Sequence, residues 1–217
     1  SVRCPYFYNP IDSFRHFLKK MENSRNQKLR IGWVIALMAL AVGYRVFAAG
    51  NSDLANTSPL MAMAFGGGLL LGLRFWWVPA ALLVISDVAL GFSAGTGVGS
   101  YTLLTSLCYT AAAFAGGYLG KNRGSQPGQW PKMWLGTMVC SLLFYAIANS
   151  FVWALSPAYA KTVAGWWQSQ TVGLPGWAPS IFFLRNALIG DTIWCVVAAP
   201  LFFWNALSIP RAAPVSE

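Results

Sequence analysis

Charge is what this chain has least of. Only 10% of its 217 residues are Asp, Glu, Lys or Arg, against roughly 25% in soluble domains. Hydrophobic residues make up 56%, and the mean hydropathy is +0.51. That balance excludes an ordinary soluble domain, whose surface needs polar cover. Histidine is scarcer still, with His16 the single one. No apolar run holds a histidine, so a histidine-ligated haem or chlorophyll is not expected, and no Ser–His or Cys–His nucleophile pair can form there. The four cysteines, Cys4, Cys108, Cys140 and Cys195, stand far apart. They read as small apolar side chains and not as a disulfide or metal framework. Phosphate loops, zinc-helix motifs and nucleophile elbows are missing too. No enzyme, metal or cofactor is expected.

What the chain does have is six apolar runs, near residues 31–49, 59–75, 77–93, 100–120, 132–155 and 181–205. A membrane-crossing helix needs about 20 mostly apolar residues. The pattern predicts an all-α polytopic membrane protein with six transmembrane helices and an N-terminal amphipathic interfacial helix. Residues 1–30 read as a cytoplasmic segment, 31–205 as the membrane domain and 206–217 as a cytoplasmic tail. Runs two and three are short and meet in a turn around Arg74–Trp77. The first run is longer than a signal-peptide core, so it is expected to be retained. The six runs use nearly the whole sequence, and no second soluble domain is expected.

Basic residues set the orientation. Arg3, Arg15, Lys19, Lys20, Arg25, Lys28 and Arg30 precede the first run. Arg74, Lys121, Arg123, Lys132 and Arg211 fall on the same side, while the opposite loops hold only Lys161 and Asp53. The positive-inside rule makes both termini cytoplasmic. The formal net charge of +9 then reflects topology and attraction to anionic lipid, and nucleic acid is not an expected partner.

Within the first thirty residues, Asn9-Pro10 is a cap and first-turn signal, with Asp12 near the positive helix end. Ile11, Phe14, Leu18 and Met21 follow at 3-4-3 spacing, opposite Arg15, Lys19 and Lys20. Such a helix lies on the inner membrane face or docks another subunit. Small residues four apart (Gly68/Gly72, Gly91/Gly95, Ala111/Ala115, Gly116/Gly120) would let helix backbones approach closely.

Four charges remain at membrane depth: Arg45, Asp87, Arg185 and Asp191. Arg45 stands about 14 residues, roughly 21 Å, into an outward-running helix, and Asp87 about 10 residues, roughly 15 Å, into another. Arg185 lies near the outer end of the last run, Asp191 nearer its middle, and Asn149 in the outer third of the fifth. All can gather in the outer half, beneath the loops at 50–58, 93–99 and 156–180. They either form interhelical ion pairs, with Arg45 facing Asp87 or Asp191, or line a polar pocket open to the outside. The connection at 156–180 carries Pro157, Pro175, Pro179 and three tryptophans. It is too aromatic for a linker and reads as a lid.

Several short motifs point the same way. They are Asn56-Thr57-Ser58-Pro59 leading into Ala62, Ala64 and Gly66-Gly67-Gly68; Ser86-Asp87 with Leu90-Gly91; Asn149 with Trp153; and Asn186 with Gly190-Asp191. Over residues 31–205 these resemble an uncharacterised family of six-helix bacterial membrane proteins. That family is similar in layout to the substrate-binding S-components of energy-coupling factor transporters. The resemblance implies a bacterial inner-membrane subunit that takes a ligand from outside, beneath the loops after helices one, three and five. It also implies docking on a membrane coupling protein driven by two ATPases. Carried over, Asn56, Asp87, Asn149, Arg185, Asn186 and Asp191 become candidate ligand-binding residues. Two features differ. S-components carry an alanine pair four apart on helix one, whereas Ala36 here is followed by Leu40, and the amphipathic N-terminal segment is longer. Both suit the alternative, a structural accessory subunit of a larger membrane complex with no ligand of its own.

Overall fold

The computed structural model describes residues 32, 36–37, 39–48, 51, 54, 56–73, 76–94, 99–121 and 127–207. The amphipathic segment with Ile11, Phe14, Leu18 and Met21 lies outside the described residues, as do residues 208–217 of the C-terminal tail, whose first two residues instead continue the last helix. The chain divides into two compact units, Ser1–Leu40 and Ala41–Glu217. In the first, the described residues 32, 36–37 and 39–40 are helical. The second holds everything below.

Among the described residues all regular structure is helical. In chain order the helices are α1 (Ala39–Ala48), α2 (Leu60–Leu71), α3 (Val78–Ala94), α4 (Ser100–Gly120), α5 (Trp130–Leu155), α6 (Val163–Gln170) and α7 (Ser180–Leu207). Three are long and apolar enough to cross a membrane: α4 with 21 residues, α5 with 26, and Ser180–Phe203 of α7 with 24. The other apolar helices are shorter. Among the described residues the six runs thus appear as three long helices and three shorter helical stretches, the first of them part of a run that is only partly described.

The second run shows why. Its helix, α2, has 12 residues, about 18 Å at 1.5 Å per residue. It stops at Gly72, whose φ of 76° lies in the left-handed region that favours glycine, and whose N–H returns to the Gly68 carbonyl at 2.8 Å. The apolar residues beyond Gly72 extend the hydrophobic run without extending the helix. Apolar all round, α2 is buried along most of its length, packed against α4, α5 and α7.

Glycine makes the α2–α4 contact possible. A Cβ added to Gly68 would meet the Ala113 carbonyl oxygen at 2.1 Å, and one on Gly116 would meet that of Phe65 at 2.1 Å. At Gly120 it would meet the Leu69 oxygen at 2.2 Å. The backbones touch, which is how helices associate where lipid supplies little hydrophobic drive. Gly68, Gly116 and Gly120 therefore form a packing seam. Gly72 serves as a helix stop instead, and Ala111 is exposed.

Sidedness differs from that of a soluble bundle, for beside an apolar core many polar side chains are buried and large apolar ones are exposed. Ser86, Asp87, Thr102, Thr105, Thr137, Ser141, Asn186 and Asp191 are buried, while Phe92 is 90% and Leu103 66% exposed. Leu143, Ile189 and Ile193 are exposed as well. An apolar exterior around an interior that holds polar groups beside its apolar core suits a hydrocarbon surround.

The connection at 156–180, read from the sequence as an aromatic lid, contains the eight-residue helix α6. Its signal is Thr162, whose Oγ1 accepts the Gly165 N–H at 3.2 Å as an N-cap. α6 is fastened to α5. Trp166 Nε1 donates to Ser150 Oγ at 2.8 Å, and Gln170 Nε2 to Ser150 Oγ at 3.2 Å and to the Ala146 carbonyl at 3.3 Å. The Tyr145 hydroxyl donates to the Gln170 carbonyl.

Candidate ligand cavity

Helix periodicity builds the site. On α5, Ser141, Phe144, Tyr145, Ala148, Asn149 and Val152 recur at three- and four-residue steps, so one face carries them all. On α4, Tyr101, Thr105 and Tyr109 stand four apart, and on α7 Ser180, Phe183, Ala187 and Asp191 hold one stripe. These faces, with Arg45 of α1 and Leu83 and Leu90 of α3, enclose a cavity of about 750 Å³. Small-molecule sites run from about 300 to 1,000 Å³. The cavity lies at the end of the bundle where α1, α3 and α5 finish and α2, α4 and α7 begin. Asn51, Leu54, Asn56 and Ser58 line one rim, and Tyr159, Gly173, Leu174, Trp177 and Ala178 the other.

Asn56 holds a backbone φ of 64°, a conformation asparagine tolerates better than most residues. Thr57 beside it is anchored three ways. Its Oγ1 donates to the Leu54 carbonyl at 2.6 Å and lies 2.7 Å from the Tyr44 hydroxyl, and its carbonyl accepts Trp194 Nε1 at 3.0 Å. Gly190 of α7 is pressed against the Thr57 backbone, where an added Cβ would come within 2.7 Å of Cα.

The four intramembrane charges behave differently from one another. Arg45 Nη1 lies 2.5 Å from Asp87 Oδ1. Arg45 also donates to Ser86 Oγ and, at 3.3 Å, to the Leu83 carbonyl. Asp87 Oδ2 accepts Thr102 Oγ1 at 2.7 Å. The cluster ties α1, α3 and α4. Arg45 reaches the cavity, while Asp87 sits behind it and does not line the wall. Among the described residues Asp191 has no arginine partner. Its Oδ2 accepts the Ser141 hydroxyl, the first-turn amide of Ala62 on α2 faces the same carboxyl, and Oδ1 has no hydrogen-bond partner.

Arg185 stands apart. It is exposed, its guanidinium lies over the Phe182 ring at 4.9 Å, and it donates to Asn186 Oδ1 at 3.1 and 3.3 Å. Among the described residues it meets no carboxylate. A long side chain near a helix end can turn its head outward and avoid burial, which removes the need for a pair.

Of the six candidate ligand residues, Asn56, Asn149 and Asp191 line the cavity, and Asp87, Arg185 and Asn186 do not. Asn149 Nδ2 donates to the Tyr145 carbonyl at 2.9 Å. Sequence reasoning missed Tyr101, Thr105, Tyr109, Ser141 and Tyr145. The four-residue step of polar and tyrosine positions along α4 and α5 was the available signal. Among the described residues, no three His, Cys, Asp or Glu side chains gather as a metal ion would need, and Cys108, Cys140 and Cys195 are free thiols.

Residues 25–212 match DUF6580, a family of unknown function. The chain belongs to that family. Its DUF6580 region takes in α1 through α7 and therefore the whole cavity. No curated protein and no solved structure matches the chain.

Proposed function

We propose that this DUF6580 protein is an integral membrane small-molecule-binding subunit of the S-component type, presenting an outward-facing polar pocket for uptake. The observation that carries the reading is the cavity of about 750 Å³, walled by aromatic and polar side chains in a bundle whose exterior is apolar. Its location adds support, because it opens among the connections after helices one, three and five.

In this reading six helices cross a bacterial inner membrane with both termini cytoplasmic. The charge asymmetry of the loops supports that orientation, which turns the mouth outward. Lipid surrounds the bundle, and the subunit hands its ligand to a membrane coupling protein powered by ATPases. The protein itself performs no chemistry.

Purification from native membranes in mild detergent tests this. The expected result is a small molecule released in near-stoichiometric amount on denaturation, together with a coupling protein and an ATPase pair. Recovery within a different membrane complex, with no small molecule released, would establish the accessory-subunit alternative instead.

A further inference from the structure

We infer that the cavity selects ligands bearing a protonated amine or an N–H donor on a flat, apolar body, and that Asp191 receives that nitrogen. The inference rests on reading the cavity as a ligand site, and it adds the ligand's chemical class.

The first observation is an unfilled acceptor. Asp191 is 2% exposed, it lines the cavity, and its Oδ1 has no hydrogen-bond partner. Buried polar atoms are nearly always paired, so an unpaired one at a cavity wall marks a place where a partner arrives. Both groups the fold brings to this carboxyl, the Ser141 hydroxyl and the Ala62 amide, are donors. Asp191 thus serves as an acceptor, and the missing third partner is another donor.

Charge points the same way. Among the described residues, Arg45 is the one basic residue lining the cavity, and Asp87 holds its guanidinium at 2.5 Å. That cation is neutralised inside the protein, while among the described residues Asp191 has no cation paired with it. A carboxylate ligand would meet Asp191 without a free arginine to offset it. A ligand ammonium would complete an ion pair and a charge-assisted hydrogen bond together.

The walls specify the rest of the molecule. Tyr109 and Phe144, both lining residues, stack with ring centroids 5.5 Å apart at 27°. Their faces favour a flat ring or a cation laid against them.

Calorimetric titration of the purified full-length protein in detergent tests the class with two probes of one shape, benzylammonium and benzoate. Benzylammonium should bind at least about tenfold more tightly. Asp191→Asn should reduce its affinity about tenfold or more, and Asp191→Glu should retain part of it. If Asp191→Asn fails to fold, Tyr109→Leu should weaken both rings while the preference for benzylammonium over benzoate, carried by Asp191, persists; loss of that preference would overturn the inference. Equal or tighter benzoate binding overturns the inference, as does failure of both probes to bind. A released natural ligand with no N–H group would overturn it as well, and would leave the uptake reading standing. Absence of any released ligand is the result that strikes the uptake reading itself.

Discussion

Arg45 and Asp87 meet at 2.5 Å, with Thr102 on the carboxylate's other oxygen at 2.7 Å. Three helices are joined through two charges that lipid would otherwise penalise. Removing one member of a buried pair strands the other, at a cost of about 3–5 kcal/mol. Asp87→Asn should therefore lower the thermal midpoint in detergent markedly. Adding Arg45→Gln should recover part of the loss, and a double-mutant cycle reads that coupling directly. A neutral Asp87→Asn would mean that the pair is not a strut.

The glycine seam gives a second expectation. Gly116→Leu would drive a side chain into the Phe65 carbonyl, and overpacking of this kind costs about 1–3 kcal/mol or more. Ala111→Leu, on the exposed side of the same helix, is the control. Melting curves should separate the two variants clearly. Equal midpoints would show that α2 and α4 do not depend on close approach.

Gln170 holds α6 to α5 through the Ala146 carbonyl and Ser150 Oγ and does not line the cavity. Gln170→Ala should loosen the 156–179 rim while shifting global stability by only about 1 kcal/mol. Lys161 is exposed there, so trypsin cleavage after it reports the change. Cleavage should accelerate in the variant. An unchanged rate would mean that the remaining bonds suffice to hold the rim.

Topology is tested by single cysteines introduced at Gly97 and Gln126 in a background lacking Cys4, Cys108, Cys140 and Cys195. An impermeant thiol reagent applied to intact cells should label Gly97→Cys and not Gln126→Cys. The opposite pattern would invert the assignment and turn the cavity mouth inward.

Composition made the long helices legible, because lipid-facing α4, α5 and α7 need apolar residues all along their outer faces. The end of α2 was legible only to within a few residues: the sequence placed a turn around Arg74–Trp77, whereas the helix stops at Leu71, ended by the positive φ of Gly72. α6 hid behind the prolines of its connection, although Thr162 marked its start. With four charges at depth, Arg45 and Asp87 were natural partners. Asp191 was also matched to an arginine, whereas its observed contact is Ser141. Serine is common in such helices, and which serine faces a carboxylate depends on how the two helices are rotated. The aromatic lining stayed hidden for the same reason, since tyrosines in α4 could equally have faced lipid.

The anchoring of Thr57 has a mechanical consequence. The rim at 56–58 is fastened to α1 through Tyr44 and to α7 through Trp194 and Gly190, whereas the α6 rim is stitched to α5. The mouth thus behaves as two jaws fastened to the bundle, and neither jaw swings as a free flap. The second rim also reaches α7, where the Ile181 N–H donates to the Thr171 carbonyl at 3.0 Å. The hydrogen bond between Ser141 and Asp191 joins α5 to α7 below, so both rims and the cavity wall are tied to α7.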